Sequence, residues 1–174
     1  MVKHTTRYLG RLVARFGFDQ ENLHQFAIKH LSEENRHEIM ALNDLKYLGG
    51  AIEDYPPMDV TQYMIQSQYY WLEHLPAAHF GFFFVLETLS ITKFKNKMPL
   101  LREIYPNRAL TFLAHHTEED VQHVDNIEKK VNTLSQKEVE LISENIRQTG
   151  NLYSQMFADI KRVVSERSDL KKVA

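Results

Sequence analysis

Chain-breaking residues are too scarce in this sequence for an all-β fold. The 174 residues carry 6 Gly and 5 Pro, about half the usual frequency, whereas a sandwich or barrel needs a turn every ~8–12 residues. The breakers that exist fall between helical stretches. Gly17 ends a first helix from about Thr5 to Phe16. Asp19 predicts the N-cap of a long second helix that reaches Tyr47, where Gly49 and Gly50 stop it. Tyr55-Pro56-Pro57 reads as loop, Asp59 as the cap of a third helix through Leu75, and Pro76 as either a kink or the start of a fourth helix over Ala77 to Phe94. A short piece, Leu100 to Tyr105, precedes a fifth long helix from Pro106 to Val131. Ser135 and Glu138 form a capping box for a last helix from Gln136 to Ser165, and the charged residues 166–174 are expected to fray. No repeat or linker interrupts the pattern. The expectation is an all-α, single-domain helical bundle over residues 1–174.

Composition removes several function classes. With no Cys there is no disulfide, Cys-ligated zinc, iron–sulfur cluster, thiolate-ligated haem or Cys nucleophile. A net charge of −2 provides no broad field for nucleic acid or an anionic membrane. The longest apolar run, Phe80 to Leu86, is far shorter than the ~20 residues that span a bilayer, and Met1 to Phe16 lacks an apolar signal core. A cytoplasmic protein without nucleic acid or membrane partners is expected.

The last helix shows what an ordinary inward face looks like. Val139, Ile142, Ile146, Thr149, Tyr153, Met156, Ile160 and Val163 recur at three-four spacing, nearly all apolar. Three other helices break that pattern. The second presents Leu23, Ala27, His30, Glu34, His37, Ala41, Leu45 and Leu48; the fourth Phe80, Phe83, Phe84, Glu87 and Ile91; the fifth Ala109, Phe112, His116, Asp120, His123, Ile127 and Val131. Burying an unpaired carboxylate costs several kcal/mol, and these stripes bring no Lys or Arg. A divalent metal supplies the missing charge. Glu34 and His37 stand three apart, as do Asp120 and His123, with His116 one turn earlier and Glu87 on a third helix. The span from His116 to His123 suits ligands flanking two metals about 4 Å apart. Such nitrogen and oxygen donors fit iron or manganese and do not exclude zinc. Each motif alone has a plainer reading, as a wet helix side or a carboxylate satisfied by a tyrosine. His30 reads first as a satisfied core histidine and second as a neighbour that orients the metal ligands, and His4, His24 and His74 read as surface groups. Phe80, Phe83 and Phe84 read as core that also walls a substrate pocket.

The run from Glu33 to Glu38, followed by Leu42 to Gly49, is similar to a core segment of the haem-oxygenase-like diiron oxidases and oxygenases. Gly81 to Glu87 resembles their next signature, and His116, Asp120 and His123 match their third. The resemblance runs in order from about Tyr8 to Val131. It implies a seven-helix haem-oxygenase-like fold without haem. It also implies two irons, O2 as co-substrate, an unidentified electron donor and a small substrate such as an amino acid or fatty acid derivative. The implied ligands are Glu34, His37, Glu87, His116, Asp120 and His123. Relatives carry an additional leading helix, which is expected to be lacking here, and a homodimer is expected to cover the face this leaves. The alternatives are a haem-binding or haem-degrading protein with His4 or His24 as proximal ligand, and a non-catalytic helical module that stores metal or binds a partner, its acidic stripe residues facing solvent or a subunit interface. A ferritin-like bundle is the runner-up fold.

Overall fold

The computed structural model describes the backbone of residues 1–173 and the side chains of residues 1–166; the expected fraying of 166–174 falls, beyond Glu166, outside the described side chains, and the helix expected to end at Ser165 runs on to Val173. The elements in chain order are α1 (Thr5–Arg15), α2 (Glu21–Glu33), α3 (His37–Tyr47), α4 (Asp59–His74), α5 (Phe80–Leu89), α6 (Met98–Ile104), α7 (Thr111–Val131) and α8 (Gln136–Val173). No strand occurs among the described residues. Short 3-10 turns link these helices, and a π turn, Ser90–Phe94, continues α5. The apolar side of α1 (Tyr8, Leu9, Leu12) packs on α2 and α4. α5, apolar on almost every side, packs between α7 and α8. Phe80, Phe82, Phe83, Met64, Leu72 and Ile127 complete a core at 2% exposure or less, as expected where apolar helical faces meet.

Expected helix ends shift where tertiary bonds outweigh local signals. Asp19 does not cap a helix; it lies in a 3-10 turn, Phe18–Gln20, that precedes α2. Asp59 is the first residue of α4 rather than its cap. The Ser135–Glu138 box forms, with Ser135 donating from its backbone N–H and its hydroxyl to the Glu138 carboxylate at 2.9 and 2.7 Å. Asp44 caps α7 from a distance, accepting bonds from the Thr111 hydroxyl (2.6 Å) and the Phe112 N–H (2.8 Å). Asp44 is therefore buried on α3, as is His37, while Leu48, expected inward, is 51% exposed.

The expected second helix is two. α2 stops after Glu33, Arg36 takes a left-handed conformation (φ 73°), and α3 restarts at His37. A non-glycine residue held there costs about 1–2 kcal/mol, and no glycine or proline marks the break. Glu34 and His37 flank it, both buried.

The inward face of α8 is also more polar than its stripe suggests. Asn145 and Thr149 are fully buried in a ring of bonds with Gln68 of α4. Gln68 donates to Thr149 (3.2 Å), Thr149 donates to Asn145 (2.9 Å), and Asn145 donates back to the Gln68 carbonyl oxygen (3.0 Å). His79 donates its Nδ1–H to the same oxygen at 3.1 Å, leaving Nε2 without a partner. Burial, with a smaller effect from His30, pushes the His79 pKa down to about 3. An unfolded histidine titrates near 6.5, so between these values the unfolded chain holds a proton that the folded chain refuses. Stability is thus complete above pH ~6.5 and falls by at most about 1.4 kcal/mol per pH unit on acidification toward pH 3. Urea unfolding of the metal-free protein from pH 7 to 4 is expected to show this slope, and His79→Gln to flatten it; an equal slope in the variant would contradict the assignment.

Candidate metal centre

Three short segments bring the carboxylates and imidazoles together. The α2 end and the break supply His30, Glu34 and His37; α5 supplies Glu87; α7 supplies His116, Asp120 and His123. Glu34, Glu87 and Asp120 are buried, at 6%, 4% and 2% exposure. Glu34 lies at the middle. One of its oxygens is 3.1 Å from His37 Nδ1; the other is 3.7 Å from His30 Nε2 and 4.0 Å from His116 Nε2. Glu87 Oε1 lies 3.2 Å from His30 Nε2 and 3.8 Å from His123 Nδ1, which is itself 3.6 Å from Asp120 Oδ1. Two donor triads emerge: His30, Glu34 and His123, and Glu34, His37 and His116, each with ligand atoms within 4.8 Å of one another. Glu34 belongs to both.

Second contacts orient these rings. His116 donates Nδ1–H to the Phe112 carbonyl at 2.8 Å, which leaves Nε2 as the atom facing Glu34. Metal-binding histidines commonly make such a bond with their remote nitrogen. His123 turns Nδ1 toward Glu87 and Asp120 and Nε2 toward Glu33, 3.6 Å away. Directly after Glu87, the Ser90 hydroxyl contacts the Glu87 and His116 carbonyls (3.0 and 3.2 Å), joining α5 to α7 through the π turn.

Protons can balance the charge of this centre but leave its buried polar atoms unpaired. Burial raises the Asp120 pKa to about 8 and lifts Glu87 above the ordinary carboxylate range, the neighbouring carboxylates adding to both shifts. Burial would raise Glu34 too, but His30 and His37 hold it well below that range. For His30, burial favours the neutral ring, yet contact with Glu34 and Glu87 outweighs it and lifts the pKa to about 10. Burial lowers His116 and His123, whereas Glu34 raises His37. Both ring nitrogens of His30, both Glu87 oxygens, Asp120 Oδ1 and His123 Nδ1 are buried without a hydrogen bond. Each such atom costs about 1–3 kcal/mol. Carboxylate and imidazole lone pairs converging in this way fit first-row divalent cations.

All six expected ligands lie in this cluster, Glu34, His37, His116 and His123 within the two triads and Glu87 and Asp120 beside His123. So does His30, for which the sequence favours the core reading over a place beside the ligands; it is buried, and its neighbours are the carboxylates of the cluster. Glu33, which falls outside the apolar stripe, also reaches the centre's edge. Phe80, Phe83 and Phe84 do not line the cavity that opens here. That cavity, of about 460 Å³, is bounded by Phe26, His30, Glu33, His123, Asn126 and Lys130, among others. Phe80 and Phe83 are core, although the Phe83 ring lies 4.9 Å from His30. His4 and His24, the proximal candidates for haem, are engaged by the Tyr69 hydroxyl and the Val13 carbonyl, each at 2.9 Å. Burial of Glu34, Glu87 and Asp120 takes them off the solvent-facing acidic surface that a partner-binding module would present. Among the described residues, no helix is long and apolar enough to cross a membrane.

A family model described as iron-containing redox enzyme matches residues 1–153. The structure resembles a domain of unknown function with a haem oxygenase-like fold from Shewanella denitrificans, with a TM-score of 0.80 and 18% identity over 94% of this chain and 74% of that one. No curated protein matches.

Proposed function

The chain belongs to the family of iron-containing redox enzymes, and from that premise we propose that it is a non-haem diiron oxidoreductase. It uses O2 to oxidise a small metabolite such as an amino acid or fatty acid derivative. The observation that carries this reading is the pair of donor triads sharing Glu34. One shared carboxylate between two donor sets is the arrangement a two-metal site needs.

Glu34, His37, Glu87, His116, Asp120 and His123 hold the metals, with manganese the other occupant these donors accept. Bound iron supplies one-electron redox steps and a site at which O2 is reduced. The Phe112 carbonyl fixes the His116 tautomer, and Glu33 stands against the outer nitrogen of His123. Phe83 covers the His30 ring from the dry core, and Phe26 stands beside it at the cavity wall. The adjoining cavity gives a small substrate access past His30 and His123. Lys29 and Lys129 at its rim pair with Glu33 and Asp125, whereas Lys130 makes no ion pair among the described residues. It favours an anionic group on the incoming molecule.

Anaerobic loading with Fe(II) is expected to leave about two irons per chain after desalting, and exposure to O2 to give a transient visible absorbance. Iron no higher than background would defeat this proposal.

A further inference from the structure

We propose that His30 is itself a metal ligand, an additional donor on the side of Glu87 and His123; this rests on the two-metal reading above. His30 lies one helical turn before Glu34, so both side chains leave α2 on the same side. Its ring is 2% exposed, packed at centroid distances of 5.9 Å from Phe26 and 4.9 Å from both Phe83 and His123. A core histidine in such surroundings normally has at least one nitrogen hydrogen-bonded. Here neither is.

The contacts around Nε2 have the form of shared coordination rather than of a hydrogen bond. Nε2 lies 3.2 Å from Glu87 Oε1 and 3.7 Å from Glu34 Oε1. Neither contact makes a hydrogen bond: the Glu34 oxygen is too distant, and the Glu87 oxygen lies off the ring N–H direction. Two donors each bound at about 2.1 Å to one metal stand roughly 3.0–3.4 Å apart. The His30–Glu87 separation falls within that interval, and the His30–Glu34 separation needs only a small closure. His30 also completes a triad with Glu34 and His123, so its removal strips a nitrogen from one metal and leaves the Glu34, His37 and His116 triad whole. The rival role is a protonated ring that only balances the charge of Glu34 and Glu87. The two roles differ in what replacement does: loss of a ligand weakens one ion, whereas loss of a competing positive charge leaves both bound.

The experiment is anaerobic titration of metal-free protein with Mn(II) and with Fe(II), reading stoichiometry and affinity for wild type and His30→Phe, with folding checked by circular dichroism. His30→Phe keeps an aromatic ring beside Phe26 and Phe83 but has no donor. The expected result is two ions for wild type, and in the variant one ion unchanged and the other weakened by ~100-fold or more. Two ions bound by His30→Phe with affinities within about threefold of wild type would overturn the His30 assignment and leave the two-metal reading standing. A wild-type chain that binds neither metal would overturn both. Anomalous diffraction from Mn(II)-loaded wild-type crystals decides the matter independently of the variant's folding. A peak about 2.0–2.4 Å from a His30 ring nitrogen supports the assignment, and peaks all beyond roughly 3 Å from both nitrogens overturn it.

Discussion

Replacing Glu34 with alanine is expected to remove both ions at once. The side chain belongs to both donor triads, with its two oxygens facing different histidines. Glu34→Ala therefore leaves four imidazoles and the carboxylates of Glu87 and Asp120, without an anion joining the two halves. Iron retained after anaerobic loading and desalting should fall from about two per chain to background, a loss of affinity well beyond the ~10–100-fold expected when only an orienting partner is lost. Glu87→Ala provides the contrast. Glu87 approaches His30 and His123 but not His37 or His116, so its removal should weaken one ion and spare the other. Equal, near-complete iron retention by Glu34→Ala and wild type would show that Glu34 is not shared, and the two-metal arrangement would fail with it. A fold effect is separable: metal-free Glu34→Ala is expected to keep the helical circular dichroism of wild type, because it removes a carboxylate whose hydrogen-bonding partner is a neighbouring ring, not a helix cap.

Much of this centre is legible in the sequence because charge on an apolar helical stripe has no cheap structural explanation. Glu87 follows an almost unbroken apolar run, and His116, Asp120 and His123 interrupt a stripe that is otherwise Ala, Phe, Ile and Val. The same physics does not distinguish His30. An imidazole can be neutral, so a lone histidine on a buried stripe is compatible with an ordinary core, and only the position of Glu87 relative to Nε2 separates the two cases. Helix order is legible because the few breakers sit between helices. The interruption at Glu34–Arg36 is not, since neither Asn35 nor Arg36 demands a left-handed turn; the tertiary setting imposes it. Asp44 and Asn145 escape the pattern for a related reason. Their burial depends on partners 67 and 77 residues distant, which no local period records.

The other large effect concerns packing, at the closest approach of α5 to α8. A Cβ added at Gly81 would lie 2.5 Å from the Ile142 carbonyl oxygen, 2.9 Å from the Ile146 nitrogen and 3.1 Å from Asn145 Cβ. Two of these atoms are backbone inside a long helix, so no rotamer change relieves the overlap. The helices must separate, and separation loosens the Gln68–Asn145–Thr149 ring and the contacts of Phe82 and Phe83 together. Gly81→Ala is expected to destabilise the protein by about 3 kcal/mol, at the upper end of overpacking effects. For a chain of this length that lowers Tm by roughly 6–12 °C. Gly10 and Gly150 are the controls, because each lies within a helix with nothing within 4 Å of an added Cβ. Gly10→Ala and Gly150→Ala should each be neutral or stabilising by up to about 1 kcal/mol, through helix propensity and a less flexible unfolded chain. The centre should respond as well. Glu87 follows Gly81 by less than two turns on the same helix, so displacement of α5 moves it away from His30 and His123. Weakened iron binding should accompany the lower Tm in Gly81→Ala and be absent from both controls. A Gly81→Ala protein that melts with wild type would show that α5 and α8 do not meet this closely.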